Sequence, residues 1–264
     1  MILWRRDLQS DYISPDFFRL GYQKFRVHDV DNLSLFRSEV LRIFQESLVD
    51  IGVDGNSLKR LDDLHKVLTG NDINNYRLRC IEKLNAMELI NNRLLLDPLP
   101  GVVTSLIGHD QLIQRNVNLV VQRPLDIDNS ELHRDYPGNS EFEIVIWIPM
   151  VDCPSDMSMY VLDFTNSVDV ARRIKSSPEA GWSALHETVK NHAVFVPVDF
   201  GEALVFMTPL FHGSDINKNE RTRVSFNFRL RGLFHPSGLR DAYAFWRLLN
   251  VSEFTKKMLQ GFND

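Results

Sequence analysis

Residues 142–150, Phe-Glu-Ile-Val-Ile-Trp-Ile-Pro-Met, constrain the fold of this 264-residue chain more than any other stretch. A strand exposes alternate residues on opposite faces. This run is apolar at consecutive positions, so both of its faces must be covered. That suits a sandwich or jelly roll, packed outside by helices and inside by its own core. Further short strand-like runs follow at 157–164, 192–200, 202–209 and 221–234. Before it, residues 112–124 are rich in β-branched residues and stop at Pro124. The predicted class is α+β.

The first part of the chain has another period. From Leu33 to Val49 the apolar residues recur at three and four, which predicts an amphipathic helix ended by Gly52. Ser57 to Leu68 reads as a second helix, closed by Gly70. Asp72 or Asn74 caps a third, running to about Leu96, and Pro98 and Pro100 break the chain. Val102–Ile107 adds one further helical turn. A helical insert is expected from Asn166 to about Lys190, and helix again after Pro236. Residues 1–111 are therefore read as mostly helical, 112–234 as the β core and 235–264 as a C-terminal helix. No Pro/Gly/Ser-rich linker lies near residue 110, so 1–264 is expected to form one integrated domain.

Composition narrows the class. The chain is 44% hydrophobic and 25% charged, as ordinary globular proteins are. Its net charge is −5 with scattered Lys and Arg, which argues against a nucleic-acid partner. Cys80 and Cys153 stand far apart with no CxxC, so neither a thiolate zinc site nor a disulfide framework is expected, and a reducing cytoplasm fits. No apolar run is long enough for a signal peptide or a membrane span. Oligomeric state is not legible.

His133 and Asp135 are two apart, so on extended chain their side chains face one way and Arg134 the other. Two such ligands plus a distant histidine make the facial triad of non-haem iron oxygenases. Of the eight histidines, His28, His65 and His109 fall in the helical part. His186 and His192 flank the end of the insert, and His235 follows the last strand. His212 ends the strand Glu-Ala-Leu-Val-Phe-Met-Thr-Pro and precedes Gly213-Ser214, which places it well to complete a site. Beyond it Arg221, Arg223 and Ser225 share a face by the period of two. An arginine in an apolar strand needs an anionic partner. A carboxylate of a co-substrate would serve, and so would Glu202 or Asp199 of the chain itself.

The set His133-x-Asp135, His212, Arg223 and Ser225 resembles the Fe(II)/2-oxoglutarate-dependent dioxygenases, and within them the phytanoyl-CoA hydroxylase-like group. The text His-Arg-Asp-Tyr-Pro-Gly-Asn-Ser-Glu-Phe-Glu-Ile-Val-Ile-Trp-Ile-Pro-Met-Val-Asp, with Ser-Met-Tyr-Val-Leu-Asp behind it, is similar to oxygenases of bacterial carbohydrate-biosynthesis clusters. The resemblance spans about residues 112–234. It implies a double-stranded β-helix core with Fe(II) held by His133, Asp135 and His212, and 2-oxoglutarate and O2 as co-substrates. Arg223 would bind the distal carboxylate of 2-oxoglutarate, with Ser214 and Ser225 as further hydrogen-bonding groups. Asn118 and Gln122 share a strand face and would line the pocket, or else be ordinary sheet-edge residues. Arg134, Trp147 and Tyr160 are substrate-side candidates, the two aromatics otherwise core.

Halogenating members of the family lack the carboxylate that Asp135 supplies, so the resemblance favours hydroxylation; desaturation, epimerisation and ring closure use the same ligands. The implied substrate is a small polar or anionic molecule, a sugar or sugar derivative. Arg172, Arg173 and Lys175 of the insert are a candidate anion patch or a solvated helix face. Two alternatives stand beside this: the same chemistry on an amino acid or other metabolite, and a non-catalytic cupin-like sugar-binding jelly roll.

Overall fold

The computed structural model describes residues 13–70, 72–87, 99–126, 132–176, 185, 189, 191–240 and 242–260. In chain order the elements are α1 (Pro15–Leu20), β1 (Tyr22–Arg26), α2 (Val30–Val49), α3 (Leu64–Val67), α4 (Ile73–Ala86) and α5 (Pro100–Ile107). Then come β2 (Gln111–Gln114), β3 (Asn118–Gln122), β4 (Glu143–Pro149), β5 (Met159–Val161), α6 (Phe164–Ser176), β6 (Val194–Phe195) and β7 (Glu202–Met207). The chain closes with β8 (His212–Ser214), β9 (Arg223–Gly232), α7 (Ala242–Phe245), β10 (Trp246–Asn250) and α8 (Glu253–Gln260).

Among the described residues the strands form two sheets. A seven-stranded sheet runs β1-β7-β4-β9-β2-β10, with β3 also paired to β9, and a three-stranded sheet runs β6-β5-β8. Their pairings are antiparallel. The expected run at 112–124 is two strands: residues 115–117 turn between them, and β3 and β2 lie in succession along one edge of β9. β4, buried at every position, lies between β7 and β9.

β9 has two faces of opposite character. Val224, Phe226, Phe228 and Leu230 are buried in the main core, where Phe226 meets Phe36 of α2 edge-on at 5.4 Å. The alternate residues Arg223, Asn227 and Arg229 line a cavity on the other face. α2 buries Leu33, Phe36, Val40, Ile43, Phe44 and Leu48 at the predicted spacing, and Asp29 caps it by accepting from the Asn32 amide at 2.9 Å.

Four expectations need correction. Ser57–Leu68 is not one helix: 3-10 turns at Gly55–Ser57 and Leu61–Asp63 precede the short α3. Asp54 accepts from the Asn56 amide, and such local side-chain bonds compete with a regular helix. The third helix ends at Ala86, without a side-chain cap from Asp72, and residues 88–96 lie outside those described. The C-terminal part is not one helix either. β10 interrupts it and pairs with β2, burying Trp246. Similarly β1, from the part read as mostly helical, pairs with β7. Helical spacing after Pro236 loses to the unpaired backbone of a sheet edge, and β1 comes from the first thirty residues, which carry no clear period. Of the insert, α6 ends at Ser176, and most of 177–190 lies outside the described residues. Among the described residues no helix is long and apolar enough to cross a membrane.

Candidate metal centre

His133 and His212 are register partners. Each accepts the other's amide hydrogen on its carbonyl, at 2.9 and 2.8 Å, and their rings lie 4.3 Å apart. Asp135 follows on the same side. One ring nitrogen of each histidine and one carboxylate oxygen of Asp135 all lie within 4.8 Å of one another. The turn behind them is fastened to the start of β4: Asn139 Nδ2 and the Ser140 amide both donate to the buried Glu143 carboxylate, at 2.6 and 2.9 Å. The Asn-Ser pair in the motif thus anchors the loop that carries Asp135.

His212 is 6% exposed and packs on Phe206 with ring centroids 4.8 Å apart. Its Nδ1 lies 3.0 Å from the Leu210 carbonyl, which can only accept, so Nδ1 carries the proton and Nε2 keeps its lone pair. Burial, reinforced by His133, lowers the His212 pKa to about 4, so the ring is neutral as a ligand must be. Burial would raise the Asp135 carboxyl, but Arg229 and the two histidines hold it below the ordinary range.

Arg229 is the residue sequence reasoning missed. Its Nε and Nη2 donate to the two oxygens of Asp135 at 3.0 and 2.7 Å, and its Nη1 donates to Gln114 Oε1 at 3.1 Å. A carboxylate offers about four lone-pair sites, so Asp135 can accept this fork and still face a metal. The only signal in the sequence was the period of two along β9, which puts Arg229 on the face of Arg223. Arg229→Met should weaken Co(II) or Ni(II) binding by about 10- to 100-fold, as loss of a ligand's supporting partner does. Equal affinity in the folded variant, read by calorimetry, would show that the fork serves only stability.

The cavity beside these residues measures about 300 Å³ and lies between the two sheets. Arg223 reaches into it and is 3% exposed. Its Nη1 donates to the Met157 carbonyl at 3.2 Å, while its Nε is buried with no hydrogen-bond partner. Burial lowers its pKa. Neither Glu202 nor Asp199 pairs with it; Glu202 pairs with Lys24. Arg221 does not share its face: it lies against Asn219 and is 4.0 Å from Asp62.

The remaining candidates divide. Asn118, Trp147 and Ser214 line the cavity. Ser225 lies behind Trp147 and accepts from its indole Nε1 at 3.1 Å. Gln122, the register partner of Arg223, donates to the Asp215 carbonyl at 2.7 Å, and its buried Oε1 has no partner. Tyr160 is outside this cavity, fully buried in a second apolar cluster with Phe195 against its ring. Arg134, a substrate-side candidate, does not line this cavity and sits over Tyr136 and Phe211 at 5.1 and 5.5 Å. In the insert, Arg172 is solvent-exposed and pairs with Asp169 at 3.3 Å. A larger cleft of about 440 Å³, between α2 and the end of β4, contains none of the candidate ligands.

Acid should destabilise the protein in a defined window. The unfolded His212 takes up a proton near pH 6.5 and the buried one only near pH 4, so the unfolded state binds more protons between these values. Stability should fall as pH drops through that window, by up to about 1.4 kcal/mol per pH unit. Asp135 adds its loss below its ordinary carboxyl value of 3.8, because its folded pKa is depressed. Urea melts of the metal-free protein at pH 7, 5.5 and 4.5 check the sign.

No family model and no curated protein matches the chain. Solved structures do. EctD from S. alaskensis with 2-oxoglutarate and 5-hydroxyectoine superposes with a TM-score of 0.55 at 15% identity, over 94% of this chain and 88% of that one. This chain has that fold. The non-haem α-ketoglutarate-dependent carbocyclase SnoK from nogalamycin biosynthesis matches with a TM-score of 0.56 at 15% identity, over 92% of this chain and 98% of its own. A non-haem monooxygenase, ThoJ in complex with Ni, matches at 0.54 and 18% identity, over 94% and 92%. At these identities the likeness establishes the fold alone.

Proposed function

We propose that this chain is an Fe(II)- and 2-oxoglutarate-dependent dioxygenase on a double-stranded β-helix, acting on a sugar or sugar derivative in bacterial polysaccharide or secondary-metabolite biosynthesis. One observation carries the reading. Three ligand groups within 4.8 Å face the same cavity as a buried guanidinium whose Nε has no partner. A buried cation without an anion is costly, so a binding anion is the physical reason to keep Arg223 there. A cupin-like binding protein has no such need.

The residues fit the metal. Two imidazoles, one carboxylate and open positions are the donor set of non-haem iron and also of catalytic zinc, and do not suit calcium; the buried Arg223 in the same cavity favours iron with a 2-oxo acid. His133, Asp135 and His212 would hold it. When bound, Fe(II) with 2-oxoglutarate and O2 supplies the oxidising power, through decarboxylation of the co-substrate to succinate and CO2 and removal of hydrogen from the substrate. The protein's own work is orientation. Arg223 receives the distal carboxylate of 2-oxoglutarate, with Ser214 and Gln122 beside it. Arg229 and the Leu210 carbonyl hold Asp135 and His212 in their ligand poses. Trp147, pinned by Ser225, walls the cavity against water. Asn118 and Asn227 face it with amides suited to hydroxyl groups. The buried free thiols Cys80 and Cys153 fit a cytoplasmic enzyme.

The test is succinate release from 2-oxoglutarate under air, with and without Fe(II), over sugars, sugar acids, nucleotide sugars and amino acids. Iron-dependent succinate that rises with one sugar class is expected. Absence of both metal and 2-oxoglutarate binding would sink the assignment.

A further inference from the structure

The cavity has more guanidinium groups than it has uses for them so far. Arg77, Arg223 and Arg229 line it, and Asp135 is its one carboxylate among the described residues. Arg229 takes Asp135. On the proposed function, Arg223 takes the co-substrate. Arg77, from α4, is left over. It is half-buried and held still: Nη1 donates to the Leu119 carbonyl at 3.0 Å and Nη2 to Asn74 Oδ1 at 2.8 Å. Both acceptors are neutral, and Arg77 forms no ion pair among the described residues. A guanidinium fixed by neutral groups still has donors to offer and keeps its whole charge.

Beside it the wall is made of amides. Asn74 comes from α4, and Asn118 and Asn227 are register partners on β3 and β9. Asn227 lines the cavity, and its Oδ1 is buried with no hydrogen-bond partner. This layout sets one cation next to neutral donors and acceptors on one side of a cavity whose other walls include Val145, Trp147 and Met159. From it we infer that Arg77 anchors the substrate, and that the substrate is a small hydroxylated molecule carrying a carboxylate or phosphate. The anion site thus belongs to the N-terminal helical part. Of the earlier candidates Arg172, Arg173 and Lys175 in the insert, Arg172 is paired with Asp169 in solvent.

The inference rests on the oxygenase reading, and calorimetry separates the two. Metal and 2-oxoglutarate are first titrated into the wild-type protein; failure there removes the oxygenase reading alone, since the later titrations also run on metal-free protein. Glucose, glucuronate and glucose 6-phosphate are then titrated both into metal-free protein and into protein loaded with Ni(II) and 2-oxoglutarate, which does not turn over. At least one anion should bind about tenfold to a hundredfold more tightly than glucose, the range of a hydrogen bond to a charged group. The carboxylate and phosphate arms tell which anion the site takes. Arg77→Gln should erase the preference and leave 2-oxoglutarate affinity within about twofold, a smaller change than loss of any charged contact. Should that variant fold poorly, Asn74→Asp sets a carboxylate against Arg77 without touching its bond to Leu119, and should erase the preference too. Equal binding of glucose and the anions, no binding of any of them, a preference that survives these variants, or a loss of 2-oxoglutarate affinity in Arg77→Gln would each overturn the inference.

Discussion

Arg223→Met should make the metal-free protein more stable and the enzyme nearly useless. The arginine is buried, makes one hydrogen bond, and leaves Nε without a partner. Replacing a poorly compensated buried charge by a methionine of similar length removes its desolvation cost, roughly 1–4 kcal/mol by analogy with buried ion pairs. The melting temperature should therefore rise. Losing the partner of a buried carboxylate costs about 3–5 kcal/mol, so 2-oxoglutarate affinity should fall roughly 10²- to 10⁴-fold. Metal affinity should hardly move, since Arg223 touches none of the candidate ligands. Calorimetric titration of 2-oxoglutarate into Ni(II)-loaded protein, with thermal melts of the metal-free protein, reads both arms. A variant that melts lower and binds 2-oxoglutarate normally would mean that Arg223 is a structural strut held by Met157.

His212→Gln should abolish tight metal binding while largely keeping the fold. Glutamine roughly preserves the volume against Phe206, so a large cavity penalty is avoided. It removes one of three ligands, and the loss should exceed the roughly 10- to 100-fold typical of outer-shell partners. Iron-dependent succinate should disappear with it. Acid sensitivity should change as well: with no imidazole to bury neutral, the fall in stability between pH 6.5 and about 4 should flatten. Wild-type metal affinity in this variant would remove His212 from the site. An unchanged acid profile would mean that a group other than His212 controls that window.

How much of this was legible can be judged from single strands. β4 announced itself: seven buried positions in a row are what a strand covered on both faces requires. α2 did so as well, through apolar residues at three and four. β9 was half-read. The period that put Arg223 and Ser225 on one face also puts Asn227 and Arg229 there, but the chain carries no sign that Arg229 grips a carboxylate 94 residues away. β1 and β10 were not visible as strands. They are short and carry no clear alternation, and they pair along the edges that β7 and β2 offer.

The same division runs through the candidate site. By itself the sequence determined which chemistry-bearing groups exist and which of them share a side: His133 with Asp135, and Arg223 with the later alternate residues of β9. These are local consequences of a two-residue period where the chain is extended; Arg221, before the strand begins, falls outside it. Only the tertiary structure decided what those groups face. It set His212 opposite His133, closed Arg229 on Asp135, tied Ser225 to Trp147, removed Tyr160 to another cluster and brought Arg77 in from a helix. Each of these depends on sheet register and on burial, which make unpaired polar groups find partners far away in the chain.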